Sequence, residues 1–575
     1  MFKDIFRLIY LLNPLWILND LIRLSKRPKN QFDLWRDFFC EFNKNKFIRR
    51  NIRTMSSSDS KALVVSLSDN PFQIKIEVIM AIALRRQNWK VKVLLRNKSH
   101  RWAIRYFSIY GFEDYCYFNK FPISESLKGE VDDRYNHYFS VLKDNAELKF
   151  NSVKNWTFRN CRVGTQILSS VGRGIRTSHL DVNSPEIRRG LIKWLRVSLE
   201  TVVKAEMLID FVTPKLMYLM EANYAYYGSI SDVAVNREID LIQLCQIGQD
   251  DALIARRLNS SNRRCHPWSI TKENLFKFSK LPLTIVEDNE LKNILSKRYD
   301  GSSFLQSRNH PRNSLHGKDE IFNFLNLDKK KKVAVLYSHV LWDANLFYGE
   351  DLFEDYGQWF IETIRALTSS PDVNWIVKLH PANAWKRKRL RAKDKLSEIS
   401  LIEEKICPIN QLPPNIKFLQ PDSPIGTVAL REFIDYAVTV RGSVAVELPL
   451  FGIPVLTAGT GRASGFGFTI DSRNSSEYLS KIKNIQEVSP LSDKQIELAK
   501  CYAYSVLKCR PWIMKSFKSN YMPITHGSHP LDHNISTNVK SWDELSANGD
   551  IDKLGEWAIN VNQIDFFDTT RSDFS

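Results

Sequence analysis

Short runs of apolar residues alternate with longer helical patterns along most of this chain, and this alternation indicates parallel α/β sheets. The first apolar run, at 62–67, is followed by a polar loop, a helical pattern over 74–84 and a second run at 90–95. Strand, helix and strand in this order form a βαβ unit. A second unit is predicted at 215–244, so residues 56–250 are expected to form one α/β domain.

The alternation of strands and helices begins again at residue 332. Further apolar runs separated by helical patterns occur at 332–337, 373–379, 416–419, 436–440 and 454–456. They predict a second doubly wound domain at 331–490. Residues 251–330, which are polar and rich in Pro, Asn and Ser, are interpreted as a linker region with a helix near 287–298. Residues 491–575 are expected to form a C-terminal helix and tail, which either packs across the first domain or hangs loose.

The N-terminal segment, residues 1–55, is apolar at its start but is too interrupted to predict a membrane span. Charged residues and Pro14 break the apolar pattern of 2–24, whereas a span needs about 20 mostly apolar residues. Two amphipathic helices around Pro14, followed by a basic stretch, fit better. Such helices lie in the interface of an anionic membrane, and docking on the body of the protein is the open alternative.

The composition agrees with a globular α/β protein of two Rossmann-like doubly wound domains facing across a cleft. The chain has 575 residues, of which 43% are hydrophobic and 25% charged, so a disordered chain is excluded. Its net charge of +18 suits nucleic acid, an anionic membrane surface or a phosphate-bearing substrate. Because the charge is dispersed in short clusters, we expect a nucleotide donor or a membrane and no nucleic acid.

The eight cysteines are scattered and lack the Cys-x2-Cys spacing of zinc and redox sites. We therefore expect no metal binding through sulfur and interpret the cysteines as reduced packing residues. No signal peptide with a small-residue cleavage site is apparent. We expect a cytoplasmic protein, peripheral on the inner face of the plasma membrane if its N-terminus binds lipid.

Polar residues follow nearly every predicted strand of the second domain, at the edge where open parallel sheets bind ligands. The candidate donor-binding residues are Ser338, His339, Lys378, His380, Arg441, Gly442, Ser443, Glu447, Gly459 and Thr460. Because the carboxyl ends of parallel strands meet at one edge, these residues are expected to converge.

The Arg441-Gly442-Ser443 turn is predicted to open a helix over 443–450. Free N–H groups and the positive end of the helix dipole bind phosphate there, and Gly442 permits close approach. Ser443 has capping of the helix as its alternative role. Glu447 lies one turn further on and could accept hydrogen bonds from ribose hydroxyls.

His380 follows the apolar strand at 373–379, where it could donate to a phosphate or act as an acid. Three other His-Pro dipeptides, at 266, 310 and 529, follow no strand signal. The position of His380, and not the dipeptide itself, marks it as a candidate.

The segment VKLHPANAWKRKR, followed by VTVRGSVAVELPLFGIPVLTAG, resembles the nucleotide-binding half of bacterial capsule-polysaccharide biosynthesis proteins. It is also similar to the wider GT-B group with Kdo transferases, sialyltransferases with a His-Pro motif, and teichoic-acid glycerophosphotransferases. The resemblance covers about 331–475, and the first domain is similar only in layout. It implies a GT-B-like fold, phosphate contacts from Gly442, Ser443 and His380, and Glu447 near the ribose. It also implies metal independence and no cofactor, the nucleotide sugar being a substrate.

The expected function is glycosyl transfer from a nucleotide-activated sugar to a surface polysaccharide or a lipid-linked acceptor. The acceptor hydroxyl needs a base. Asp69 and Glu221 of the first domain are candidates, and Asp343, Glu350 and Asp351 of the second domain are rivals. A structural or capping role is the alternative for Asp69 and Glu221.

Three other functions stay open on the same pattern. One is transfer of a polyol phosphate, as in glycerophosphotransferases, and another is epimerisation of a nucleotide sugar. The third is a non-catalytic basic scaffold or nucleic-acid binder, against which the dispersed charge and the convergent polar residues both argue.

Overall fold

The structure is a computed structural model that describes residues 28–571 except 178, 301–302, 304, 306–316, 385, 387–395 and 523–528. The amphipathic helices predicted at 2–24 lie outside the described residues. A mostly parallel sheet and a fully parallel sheet, each flanked by helices, form the two Rossmann-like α/β domains that the sequence predicts.

The first sheet has seven strands. They are β1 (Lys61–Ser66), β2 (Lys90–Leu95), β3 (Tyr115–Tyr117), β4 (Leu216–Leu219), β5 (Asp240–Gln246), β6 (Ala252–Leu258) and β12 (Trp512–Ile513). Their order is β12-β6-β5-β4-β1-β2-β3. The strands from β5 to β3 run parallel, whereas β6 is antiparallel to β5 and β12 is antiparallel to β6. The sheet therefore continues past residue 250, where the sequence placed the domain boundary.

Both faces of the first sheet are buried, which explains why its strands are nearly continuous apolar runs. Ala62 and Val64 of β1 pack into the core on one face. Leu63 and Val65 pack into the core on the other. The helices of this half are α1 (Pro28–Lys44), α2 (Lys46–Thr54), α3 (Pro71–Arg86), α4 (Arg101–Ile109), α5 (Glu125–Asp144), α6 (Phe150–Lys154), α7 (Val163–Ile175), α8 (Pro185–Val212) and α9 (Ser229–Asn236).

The second sheet has five strands, all parallel. They are β7 (Lys332–Tyr337), β8 (Val373–Lys378), β9 (Ile416–Leu419), β10 (Tyr436–Thr439) and β11 (Val455–Thr457). Their order is β11-β10-β7-β8-β9. Because β10, β7 and β8 are neighbours, the loops that follow them meet at one edge. The sequence predicts this convergence.

Helices cover the second sheet and connect it to the first. They are α10 (Lys272–Phe278), α11 (Ile285–Tyr299), α12 (Lys318–Leu325), α13 (Tyr356–Thr368), α14 (Ser397–Lys405), α15 (Thr427–Arg431), α16 (Val444–Glu447), α17 (Ser475–Lys483) and α18 (Asp493–Tyr504). The loop after β7 also contacts α7 of the first half: the Ser169 hydroxyl donates to the Asn345 carbonyl at 2.8 Å. The Leu180 amide donates to the Asp355 carboxylate at 2.7 Å.

The C-terminal segment packs across the first domain, which settles the alternative that the sequence left open. Besides β12 it contributes a hairpin, β13 (Phe517–Tyr521) and β14 (His533–Thr537), and the helices α19 (Trp542–Asn548) and α20 (Asp550–Ile559). Several of its side chains, among them Phe517, Ile551 and Leu554, belong to the core of the first sheet. Loss of this segment would expose that core.

Arg510 anchors the linker region to the C-terminal segment. Its buried guanidinium donates to the carbonyls of Pro267, Trp268 and Ser269 at 3.1, 2.8 and 2.7 Å. The Asp565 carboxylate lies 3.4 Å from it. Arg510 thereby fixes the backbone around Trp268, which lines the pocket described below.

A pair of glycine substitutions tests the contact between α20 and α3. A Cβ at Gly555 would lie 2.6 Å from the Ala83 carbonyl oxygen, so Gly555→Ala should destabilise the protein by about 1–3 kcal/mol. A Cβ at Gly129 in α5 meets no atom within 4 Å. Gly129→Ala should therefore stabilise by about 0.5–1 kcal/mol. Urea unfolding followed by circular dichroism measures both, and equal effects of the two substitutions would contradict this packing.

Candidate functional site

A pocket of about 240 Å³ opens at the carboxyl edge of the second sheet, against residues from the first sheet and the linker. Its lining residues are Gly248, Trp268, Arg298, Tyr337, Ser338, His339, Lys378, His380, Pro381, Thr427, Thr439, Gly442, Ser443, Val444 and Arg462. We call it the basic pocket, because it has cationic side chains and no carboxylate in its described lining.

Several N–H groups at the basic pocket are buried without an acceptor in the described part of the chain. They belong to Arg298 (Nη1), His339 (Nε2) and Arg462 (Nε). A buried donor without a partner costs about 1–3 kcal/mol. His339 has such a donor in the tautomer that carries its proton on Nε2. The three groups therefore favour a ligand that brings acceptor oxygens.

Two cations at this edge are perturbed by their surroundings. Burial lowers the pKa of Lys378 to about 8, and its Nζ donates to the Ile425 carbonyl at 2.9 Å. Burial also lowers the pKa of Arg462 to about 10, with a contribution from the nearby Arg298. The Arg462 guanidinium lies 4.1 Å from the centre of the Trp268 ring. An anion in the pocket would relieve this crowding of positive charge.

His380 is held in one orientation and one tautomer. Its backbone N–H donates to the Ser338 hydroxyl at 2.9 Å, and its Nδ1 accepts from the Ala382 N–H at 3.1 Å. A neutral ring with Nδ1 occupied carries its proton on Nε2. Burial, aided by Lys386, lowers the pKa of His380 to about 3. At neutral pH the ring is therefore an uncharged donor.

The other described His-Pro dipeptides adopt the same turn. The N–H of Trp268 donates to Nδ1 of His266, and the N–H of Leu531 donates to Nδ1 of His529, each at 3.1 Å. The fourth, at 310, lies outside the described residues. The dipeptide is thus a local unit that fixes the histidine tautomer, and only the position of His380 after β8 brings it to the pocket lining.

Arg441 does not line the basic pocket, although the sequence predicts it as a donor-binding residue. It is 3% exposed, and its Nη2 lies 2.7 Å from the Asp351 carboxylate. It also donates to the Thr460 carbonyl at 2.7 Å and to the Tyr356 hydroxyl at 3.1 Å. These buried partners turn the side chain away from the pocket and give it a structural role.

Gly459 and Thr460 contact the loop after β7 instead of the pocket. The Glu350 N–H donates to the Thr460 hydroxyl at 2.6 Å, and the Thr460 N–H donates to the Glu350 carbonyl at 2.9 Å. Gly459 has φ of +147°, and a Cβ there would lie 2.2 Å from the Glu350 carbonyl oxygen. We call this contact between residues 349–351 and 459–460, closed by Arg441, the loop clasp.

Glu447 binds Arg298, a residue of the pocket wall, and does not line the pocket itself. Its carboxylate lies 2.9 Å from Arg298 Nε and accepts a hydrogen bond from the Tyr299 hydroxyl. The helix that carries it, α16, is a single turn before a 3-10 turn at 449–451, and Ser443 makes no capping hydrogen bond. Glu447 therefore does not reach the pocket as predicted, but positions Arg298 at its wall.

Two of the candidate bases lie on either side of Arg173. Burial raises the pKa of Glu221, although Arg173, 3.9 Å away, opposes the shift. Burial also disfavours ionisation of Asp343, but Lys386 at 2.6 Å and Arg173 outweigh it and lower the pKa. Asp69 follows β1, is exposed and lies outside the pocket lining. Asp343 therefore adjoins the pocket through Lys386, which acts on His380, and Glu221 lies beside Arg173.

Sequence reasoning missed Arg298, Trp268, Arg173 and Lys386, and gave Arg462 no role. Arg298 is at the end of the helix that the sequence predicts near 287–298, but the linker was interpreted only as a connection. Arg462 is two residues beyond the predicted Thr460. A search of the linker for cations at helix ends could have found Arg298.

Within the described ranges, no three His, Cys, Asp or Glu side chains are grouped so that they could hold a metal ion. Of the helices that the structure describes, none combines the length and the hydropathy that crossing a bilayer requires. The absence of a cofactor stays a prediction.

Comparison with known proteins finds no matching family model and no matching curated protein. Solved structures do match. The beta-Kdo 2,4 transferase KpsC of Thermosulfurimonas dismutans is 14% identical with a TM-score of 0.30, over 55% of this chain and 84% of that one. The UDP-GlcNAc 2-epimerase of Neisseria meningitidis is 12% identical with a TM-score of 0.25, over 78% and 97%. Anabaena Alr3699/HepE, solved with UDP-glucose, is 13% identical with a TM-score of 0.25, over 78% and 94%. Because these values are low, the fold class rests on the two helix-flanked sheets, one mostly and one fully parallel.

Proposed function

We propose that this chain is a glycosyltransferase that binds a nucleotide-activated sugar in the basic pocket. The observation that carries the proposal is the set of buried N–H donors from Arg298, His339 and Arg462 that have no acceptor among the described residues. They lie beside Lys378, and the described lining holds no carboxylate. Phosphate oxygens are acceptors of the required charge. The acceptor substrate would be a surface polysaccharide or a lipid-linked glycan.

The pocket is suited to stabilise a leaving nucleotide. Negative charge develops on its phosphate when the glycosidic bond breaks, and preorganised donors and cations lower the energy of that state. Lys378 and Arg462 supply charge, and His380 supplies a neutral Nε2–H. No metal ion is needed for this role, so the proposed reaction is metal-independent.

Glu221 is the proposed base for the acceptor hydroxyl. A carboxylate with a raised pKa is a stronger proton acceptor near neutral pH than an ordinary one, and burial raises the pKa of Glu221. Asp343 is held by Lys386 at 2.6 Å, which lowers its basicity. Its proposed role is to position Lys386 beside His380.

A thermal-shift screen with CMP, UDP, GDP and CDP-glycerol tests the donor site. We expect one nucleotide to raise the unfolding midpoint of the wild type by several degrees at about 100 times its Kd. Arg462→Gln and His380→Ala should each lose most of that shift relative to their own ligand-free midpoints. Arg473→Gln is the matched control, since the Arg473 side chain is 89% exposed in the same domain.

The outcomes separate the candidate functions. Stabilisation by CDP-glycerol above all others would favour polyol-phosphate transfer. Turnover of a nucleotide sugar to its epimer without any acceptor would favour an epimerase. If no nucleotide stabilises the protein, or if both pocket variants respond like the wild type, the donor site is refuted.

A further inference from the structure

Four large apolar side chains are exposed between residues 276 and 286. Phe276 is 68% exposed, Leu281 53%, Ile285 83% and Val286 69%. Scattered single apolar residues are normal on a surface, but a contiguous group marks an interaction site. We call residues 272–286, from the start of α10 to the first turn of α11, the apolar loop.

The apolar loop is built to hold this conformation. The Arg571 guanidinium donates to the Leu281 carbonyl at 2.9 Å and to the Pro282 carbonyl at 2.7 Å, and it pairs with Glu287 at 2.8 Å. Thr284 and Glu287 form a capping box at the start of α11. Because Arg571 and the capping box hold the backbone of the loop, its exposed side chains have fixed positions on the surface.

The charge within the apolar loop itself is positive. Lys272, Lys277 and Lys280 are exposed in it. Its one acidic residue, Glu273, pairs with Lys277 at 2.8 Å. No ion pair among the described residues engages Lys272 or Lys280. Apolar side chains flanked by free lysines match the layered chemistry of an anionic membrane surface, in which phosphate head groups lie over acyl chains.

We propose that the apolar loop docks on an anionic lipid bilayer. Phe276, Leu281, Ile285 and Val286 would enter the interface, and Lys272 and Lys280 would contact the lipid phosphates. This docking does not depend on the transferase activity proposed above.

The geometry of α11 links this surface to the basic pocket. The helix begins at Ile285 in the loop, and its last turn carries Arg298 of the pocket wall. Its 15 residues span about 22 Å at 1.5 Å each. If the proposed function holds, a docked chain would keep its donor pocket within reach of a lipid-linked acceptor.

A fluorescent probe on the full chain tests the docking. NBD is attached at Ile285→Cys in a background with the exposed Cys40 and Cys265 replaced by serine. We expect a blue shift with phosphatidylcholine vesicles that contain phosphatidylglycerol, and a much smaller one with phosphatidylcholine alone. The matched control is Phe324→Cys, which is 58% exposed on α12.

Substitutions give the size of the effect. Ile285→Ser with Val286→Ser should weaken vesicle binding by about tenfold or more, and Lys280→Glu by about fivefold or more. The nucleotide-induced thermal shift of these variants should match the wild type, so failure of the docking and failure of the donor site are distinguishable.

Three results would overturn the proposal. One is a probe at 285 that does not respond although the protein sediments with vesicles, which would place the contact in another segment. Another is an equal response to neutral and anionic vesicles. The third is a blue shift without vesicles that grows with protein concentration, because a second copy of the chain would then cover the loop.

Discussion

We expect Asp351→Asn to lower the free energy of unfolding by about 3–5 kcal/mol, because it leaves the Arg441 guanidinium buried without its counter-charge. The two side chains are 6% and 2% exposed and lie 2.7 Å apart. Burial raises the pKa of Asp351 in spite of Arg441, because removing the carboxylate from water opposes its attraction to the guanidinium. The cost arises when one partner is removed alone. Urea unfolding of wild type and variant measures it.

Two controls separate the buried charge from a general sensitivity to substitution. Adding Arg441→Met to Asp351→Asn removes both charges and should recover more than half of the loss. Glu362→Gln breaks an exposed pair with Arg365, 48% and 33% exposed, and should cost less than about 1 kcal/mol. A double variant as unstable as Asp351→Asn would show that the loop clasp, and not the charge, determines the effect.

We expect the affinity of the proposed donor site for its nucleotide to fall about tenfold between pH 7 and pH 9, because Lys378 loses its proton over this interval. Its pKa is about 8 in the ligand-free protein, so the charged fraction decreases by that factor. Lys378→Met should bind about a hundredfold more weakly at pH 7 and show no such decline. Titration calorimetry at several pH values measures both. His380, with a pKa of about 3, is neutral throughout this range.

The ligand-free protein should show the opposite trend. Folded Lys378 releases its proton near pH 8, whereas the unfolded chain keeps that proton until about pH 10.4. The unfolded state therefore binds more protons in this window, and stability rises with pH because of this residue. Lys378→Arg stays charged and should remove both trends. An affinity that is flat from pH 7 to pH 9 in the wild type would exclude Lys378 from the site.

The fold could be predicted where strands are buried on both faces, since such strands are unbroken apolar runs. The strands at 332–337 and 373–378 are of this kind. β6 was missed because Arg256 and Arg257 interrupt its apolar pattern. Nη1 of Arg256 donates to the His266 carbonyl at 3.0 Å, and Arg257 pairs with Asp240. β12 has two residues and is a strand only because β6 lies beside it.

The sequence could predict those residues of the candidate site that directly follow a strand of the second sheet. Ser338, His339, Lys378, His380, Gly442 and Ser443 are all in the lining of the basic pocket. The directions of Arg441 and Glu447 could not be predicted, because they depend on Asp351 and Arg298, which are remote along the chain. The hydrophobic and polar pattern around Arg441 and Glu447 does not indicate which distant residues they contact.

The wall of the basic pocket comes from three distant parts of the chain: Gly248 to Arg298, Tyr337 to Pro381, and Thr427 to Arg462. Neither half of the molecule carries a complete set of these residues. A chimera that joined one half to the matching half of another protein could keep both sheets intact and still lack Arg298 or its partner Glu447. Recombination at the domain boundary would therefore conserve the two sheets and lose the complete pocket wall, so the two halves can be expected to diversify together.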